Sequence, residues 1–196
     1  MAQLRPGETV LVHSAAGGVG QALARLAHRA GASRVIGTVG HPGRIEAAEL
    51  GGYDVAVVRG PELASRLRDH TDGRGVDVIL DPQGSALIDL DLDVSAPGGR
   101  IVLFGNASGA AMGPLPDAGR LFAANASIGG FSLAALAASA PWRVAAALGA
   151  VLALLATGEL EVELTVVNGL DGAPQAQQAL AEGRGRGKHV VRVVAP

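Results

Sequence analysis

An apolar run, Thr9-Val10-Leu11-Val12-His13, leads into Ser14-Ala15-Ala16-Gly17-Gly18-Val19-Gly20, and a helix-like segment opens at Gln21. A strand, a glycine-rich turn and a helix in that order can bind phosphate through backbone alone. The N-terminus of a helix presents unpaired N–H groups and a partial positive charge. A phosphate settles there when no side chain obstructs it, and glycines remove the obstruction. The turn departs from G-x-G-x-x-G at its first position, Ala15. A glycine-rich turn alone is weak evidence; the flanking strand and helix make this one a dinucleotide-binding signal.

Other constellations carry less. His13 and Ser14 are adjacent, but neighbours on a strand point to opposite faces, so they make a poor nucleophile pair. His13 is expected to pack at the strand end. Asp89, Asp91 and Asp93 alternate along a helix-like segment, fan around it, and are expected to be solvated. Trp142 follows Pro141 at a helix start and is expected to pack. The five histidines show no close paired ligand spacing, and the chain has no cysteine, so disulfides and thiolate metal sites are excluded.

The elements that must position the turn follow from periodicity. Strands are expected at Thr9–His13, Arg34–Val39, Val55–Val58, Val76–Asp81 and Arg100–Phe104, with helices at Val19–Ala30, Arg44–Leu50, Glu62–His70 and Ser85–Val94. Glycines close them at Ala30-Gly31, Leu50-Gly51-Gly52, Asp72-Gly73 and Pro97-Gly98-Gly99. Strands apolar on both faces and spaced by helices imply an α/β fold, a Rossmann-like doubly wound parallel sheet. Ligands of such sheets bind at the carboxyl ends of the strands. That rim holds Ser14–Gly20, Val39–Arg44, Asp81–Gly84 and Phe104–Ala107. Beyond it the pattern gives a loop over Ala110–Gly119, a sixth strand over Ser127–Leu133 and a helix over Pro141–Thr157. It ends with a strand Val162–Val167, a helix Ala173–Glu182, a loop Gly183–Gly187 and a strand His189–Val194.

Composition bounds the function. The 196 residues are 48% apolar, enough for a substantial core, and the net charge is −2 with scattered basic residues. Nucleic acid and membrane are therefore not expected as partners. The longest apolar run, Val144–Ala156, is too short to span a bilayer, and the N-terminus has no secretory core, so a soluble cytoplasmic protein is expected.

Several motifs occur together: GETVLVHSAAGGVG (Gly7–Gly20), VIGTVG (Val35–Gly40), TDGRGVDVILD (Thr71–Asp81), APGGRIVLFGNASG (Ala96–Gly109) and GKHVVRV (Gly187–Val193). In this order and spacing the chain resembles the cofactor half of the medium-chain dehydrogenase/reductase superfamily. Its nearest branch is the zinc-independent quinone oxidoreductases, with polyketide-synthase enoyl reductases close by. The resemblance covers essentially the whole chain. It implies a cofactor-binding domain over residues 1–160. Residues 161–196 would return as a strand, helix and strand to complete a GroES-like substrate domain that precedes the first strand in the family. A chain without that domain is expected to be a fragment or a truncated product.

The resemblance also implies the site. The position that holds an acidic residue in NAD-selective folds is Val39, followed by Gly40. Arg44 stands where NADP-binding members place a base. A 2′-phosphate carries close to two negative charges and suits a guanidinium, so NADP(H) is the expected cofactor. Ala16, Gly17, Gly18 and Val19 would bear on the pyrophosphate. Arg59 replaces a tyrosine packed near the adenosine; stacking on the base, pairing with the phosphate and simple solvation all stay open. Arg184 corresponds to a phosphate-binding arginine, in a loop one residue short. The nicotinamide is expected by Asp81, Pro82, Phe104, Gly105 and Asn106, with the backbone of Phe131 and Ser132. Pro82 replaces a common serine, and Asn106 serves equally well as a turn former. No catalytic acid is assigned. The implied chemistry is hydride transfer from NADPH to a small-molecule quinone or enone, in a homodimer joined along the sixth strand. The alternatives are an enoyl reductase domain of a polyketide synthase and a non-catalytic NADP-binding or interaction module.

Overall fold

A computed structural model describes residues 1–182, 184, 185 and 187–193. Six strands form one parallel sheet: β1 (Thr9–Val12), β2 (Arg34–Val39), β3 (Val55–Val58), β4 (Val76–Asp81), β5 (Ser95–Leu103) and β6 (Ser127–Gly130), ordered β3-β2-β1-β4-β5-β6. The order reverses between β1 and β4, the place where a doubly wound sheet opens a crevice. Helices α1 (Gly18–Arg29), α2 (Ile45–Leu50), α3 (Leu63–Asp69) and α4 (Ile88–Val94) connect the first five strands. The core lies in two layers. One groups Val10, Val12, Ala24, Val35 and Tyr53; the other groups Leu11, Ile36, Leu67, Ile79 and Ile101. Alternate residues of β1 thus feed opposite faces, which is why the strand is apolar throughout.

Small residues bring α1 down onto the sheet. Its buried positions are Gly20, Gln21, Ala24 and Ala27, a helical stripe. The helix closes in a Schellman motif, with Gly31 N–H on His28 O at 2.9 Å and Ala32 N–H on Ala27 O at 3.0 Å. Gly31 has φ +89°, which an L side chain rarely adopts.

The expected strand Arg100–Phe104 begins earlier, at Ser95. Val76 pairs with Ser95 and Val78 with Arg100, so residues between are bulged out. Pro97-Gly98-Gly99 is therefore a bulge inside the strand and not the stop after α4. The loop expected over Ala110–Gly119 gives way to helix α5 (Ala118–Ala124), capped by Asp117, whose carboxylate accepts the Arg120 N–H at 3.1 Å. The sixth strand stops at Gly130, because Ser132 caps a further helix, α6 (Leu133–Ser139), by accepting the Ala135 N–H.

Helix α7 (Pro141–Ala156) has no buried residue, and Trp142 is 69% exposed, so the packing expected of this tryptophan is not found. The terminal strands β7 (Leu164–Asn168) and β8 (Lys188–Arg192), with α8 (Ala173–Ala181) between, pair parallel in a separate two-stranded sheet. Gly183, Arg186 and Val194, parts of the expected loop and last strand, lie outside the described residues. The residues that lead into the small sheet are tied to α1 and its cap: Gly17 bridges Gly187, Gln21 donates to Glu163 at 3.4 Å, and Arg29 pairs with Glu159. No described helix is long and apolar enough to cross a membrane.

Gly37 sets the spacing between β2 and the glycine turn. A Cβ there would lie 2.5 Å from Ala15 Cβ and 2.8 Å from Tyr53 Cδ1. Gly37→Ala is expected to destabilise the chain by about 1–3 kcal/mol, read as a lower urea midpoint at unchanged m-value.

Candidate functional site

A cleft of about 470 Å³ opens at the carboxyl ends of β1, β2 and β4, beside the switch in strand order. The glycine turn forms its floor. Ser14 adopts φ +60°, which turns the chain out of β1. Gly17 N–H then bonds Ser14 O at 3.1 Å, and Gly17 caps α1 with no side-chain capping bond. The first turn of α1 carries no acidic residue, so its N–H groups and dipole face the cleft uncompensated. A Cβ on Gly20 would sit 2.6 Å from the carbonyl oxygens of both Ser14 and Ala15, so only glycine allows the helix to start this close to the strand. Tyr53, buried so that its hydroxyl is held far above the usual tyrosine range, donates to Gly20 O at 2.6 Å.

Two guanidinium groups form the wall beyond β2. Arg44 donates from Nη2 to Ala16 O at 3.0 Å, which draws its side chain over the turn. Arg59 lies beside Gly40, and its Nη1 is buried with no hydrogen-bond partner among the described residues. Burial lowers the Arg59 pKa, and the Asp81 charge works the other way. A buried guanidinium nitrogen without an acceptor calls for an anionic or polar ligand. An uncapped helix start, a turn that only glycine fits and this unsatisfied donor suit a dinucleotide phosphate.

Of the residues singled out in the sequence, Ala16, Gly17, Gly18, Gly40, Arg44 and Arg59 all line this cleft. Val19 is 64% exposed and faces away, into a groove it shares with Leu23 and His189. Phe104, Gly105, Phe131 and Ser132 line a second, more apolar cleft of about 1020 Å³ at the ends of β5 and β6. The two clefts flank the Phe104–Ala107 loop. Pro82 is half-buried between them, and its carbonyl accepts the Ala107 N–H at 2.7 Å. Asn106 enters neither lining; its amide donates to Ala110 O at 2.9 Å and holds its own loop. Arg184 is exposed and donates from Nε to Glu182 at 2.8 Å, outside both linings.

Asp81 is fully buried beneath the first cleft, in a polar cluster that the sequence did not announce. His13 Nε2 lies 2.7 Å from Asp91 Oδ1, and His13 Nδ1 lies 2.7 Å from Thr38 Oγ1. Asp91 has no exposed surface, which corrects its reading as solvated: it shares the inward face of α4 with Ile88 and Leu92. The i, i+3, i+4 spacing of these three was the available signal. Asp81 Oδ1 accepts the Gln83 N–H at 2.6 Å, and the Gln83 amide donates to Ser14 Oγ at 2.6 Å. Gln83 and His41 line the cleft and were not singled out; a loop glutamine or histidine carries no spacing signal of its own.

Residues 18–152 match the family described as zinc-binding dehydrogenase. The chain belongs to that family. It is 31% identical over 194 residues to a quinone oxidoreductase of Pseudomonas aeruginosa, covering 96% of this chain and 58% of the relative. It is 36% identical over 198 residues to the erythronolide synthase EryA2 of Saccharopolyspora erythraea, covering all of this chain and 5% of that protein. The solved Escherichia coli quinone oxidoreductase complexed with NADPH superimposes with a TM-score of 0.82 at 28% identity, covering 96% of this chain and 58% of that one. The chain thus spans little more than half of each quinone oxidoreductase. Its fold is that of the medium-chain dehydrogenase/reductase cofactor half, as the motifs implied. The family description notwithstanding, the donor set does not make a zinc site: the chain has no cysteine, and among the described residues no three His, Asp or Glu side chains gather to hold a metal.

The buried pair can be tested apart from any ligand. Asp91→Leu leaves His13 without its partner and is expected to cost about 3–5 kcal/mol in urea unfolding. With His13→Leu added, the total is expected to fall below the sum of the single losses, because the pair acts as one unit.

Proposed function

We propose that this dehydrogenase chain is the NADPH-binding half of a quinone or enone reductase. The observation that carries the reading is the wall beyond β2. Val39-Gly40 offers no carboxylate to a ribose hydroxyl, while Arg44 and Arg59, whose Nη1 has no hydrogen-bond partner among the described residues, meet in the same cleft. That chemistry suits a 2′-phosphate. The NADPH held by the Escherichia coli relative supports the same cofactor here.

In this reading the pyrophosphate lies over Ala16, Gly17 and Gly18, held by the N–H groups that open α1. Arg44 and Arg59 hold the 2′-phosphate. The rim formed by Pro82, Phe104, Gly105 and Asn106 adjoins the nicotinamide, and the apolar cleft at Phe131 and Ser132 receives the ring and the acceptor. When bound, the cofactor supplies a hydride to a quinone or to the β-carbon of an activated alkene. This chain contributes positioning and water exclusion. Residues 1–160 form the cofactor unit and 161–196 return toward a substrate domain, in a cytoplasmic setting. The outer edge of β6 pairs with nothing among the described residues, which supports homodimerisation along that edge.

A second reading, an enoyl reductase domain of a polyketide synthase, is supported by the 36% identity to the erythronolide synthase along the full chain. Joined to its substrate domain, the protein would separate the two by turnover of quinones against enoyl thioesters; turnover of neither would favour a non-catalytic module.

Titration calorimetry tests the cofactor directly. Arg44→Ala is expected to weaken NADPH binding about ten- to a hundredfold, the loss of one or two charge-assisted hydrogen bonds, and to leave NADH binding within about threefold. Equal losses for both nucleotides would remove Arg44 from the 2′-phosphate.

A further inference from the structure

The buried cluster under the cleft holds two carboxyl groups, Asp81 from β4 and Asp91 from α4, and one imidazole, His13, at the end of β1. The other groups that bear on Asp81 are Arg59, following β3, and the Gln83 N–H of its own loop. Strand β2 adds only the Thr38 hydroxyl, on His13. His13 meets Asp91 Oδ1 through Nε2 and Thr38 Oγ1 through Nδ1, so neither ring nitrogen is left for Asp81 Oδ2 or Asp91 Oδ2. Asp81 Oδ2 and Asp91 Oδ2 are buried with no donor among the described residues, and the two carboxyl groups lie within hydrogen-bonding reach of each other. Two ionised carboxylates so placed would repel in a dry interior, with both oxygens orphaned. A single proton between them gives each oxygen a partner.

We propose that one proton shared between Asp81 and Asp91 positions the floor of the dinucleotide cleft. The inference rests on the cofactor reading above. The same Asp81 carboxyl that meets Asp91 accepts the Gln83 N–H, and Gln83 in turn holds Ser14 at the mouth of the glycine turn. The adjoining Pro82 carbonyl holds Ala107. Two cleft loops therefore hang on this carboxyl group through Gln83, and a third meets the backbone of its chain neighbour Pro82. Loss of the proton drives Asp81 away from Asp91, and the Gln83–Ser14 contact moves with it. Burial, and then the charge of Asp91, push the Asp81 carboxyl up from 3.8 to about 6, while His13 and the Gln83 N–H pull the other way. For an acid raised in the fold, the stabilisation is full below its ordinary value and is lost as pH rises through about 6.

Asp81→Asn tests this. The carboxamide oxygen still accepts the Gln83 N–H, and its nitrogen donates permanently to Asp91 Oδ2. NADPH dissociation constants are measured for wild type and variant at about pH 5 and about pH 7.5. Their ratio cancels the ionisation of the ligand and of groups common to both proteins. The ratio of wild-type to variant constants is expected to rise about fivefold or more between those values. Ligand-free melting midpoints should diverge in the same sense from about pH 4 to about pH 6.5, with the wild type falling. Asp91→Asn supplies the same donor from the opposite side and should flatten both profiles likewise. A constant ratio and parallel melts, with NADPH bound tightly throughout, would overturn the shared proton while leaving the cofactor reading intact. Divergent melts without NADPH binding by either protein at any pH would overturn the cofactor reading and, with it, the positioning role.

Discussion

The close approach of α1 to the end of β1 governs the rest of this molecule. The helix starts within van der Waals reach of the Ser14 and Ala15 carbonyls, a distance at Gly20 that no Cβ tolerates. Closure at that point fixes where the N–H groups of the first turn point, and so where a phosphate can sit. It also requires Ala15 to nest against Gly37 on β2, and Tyr53 to reach across to Gly20 O. The small residues of α1 and β2 are therefore one packing solution. Each lets a neighbour approach, and the cleft is what remains at the rim.

Beneath that rim the structure accepts an arrangement that apolar packing alone would avoid. His13, Asp81 and Asp91 share a fully buried pocket among valines and isoleucines. Removing three such groups from water is costly unless they satisfy one another. Their reward is geometric: bonds from this cluster reach β1, β2, α4 and the β4–α4 loop, so the strand ends that face the cleft are fixed relative to each other. Directional polar contacts can fix loops where non-directional apolar contacts cannot.

The C-terminal portion has a different character. Helix α7 buries none of its residues, and Leu164, Val166 and Val190 stand exposed on β7 and β8. Contacts with the residues that lead into the small sheet run through Gly17, Gln21, Arg25 and Arg29, so this portion meets the large sheet's layer on the helix that follows the glycine turn.

The sequence by itself determined the alternation of strands and helices, the doubly wound class and the glycine turn that opens α1. Each rests on local rules: side-chain period along an element, and glycine where a Cβ would collide. Strands β2, β3 and β4 have the bounds that their periodicity gives. It also supplied Arg44 just beyond β2, because a missing carboxylate and a following arginine lie within a few positions of one another. Tertiary structure alone decided that Asp91 is buried on His13, 78 residues away, since alternation along a short helix-like segment does not say which side meets the sheet. It decided that Pro97-Gly98-Gly99 bulges out of a continuing strand, because pairing with β4 resumes at Arg100. It left Trp142 in the open, since burial depends on what packs against a helix and not on how apolar the helix is. It also left Arg59 Nη1 without a partner among the described residues, a fact that exists only once separate strand ends are brought to the same rim.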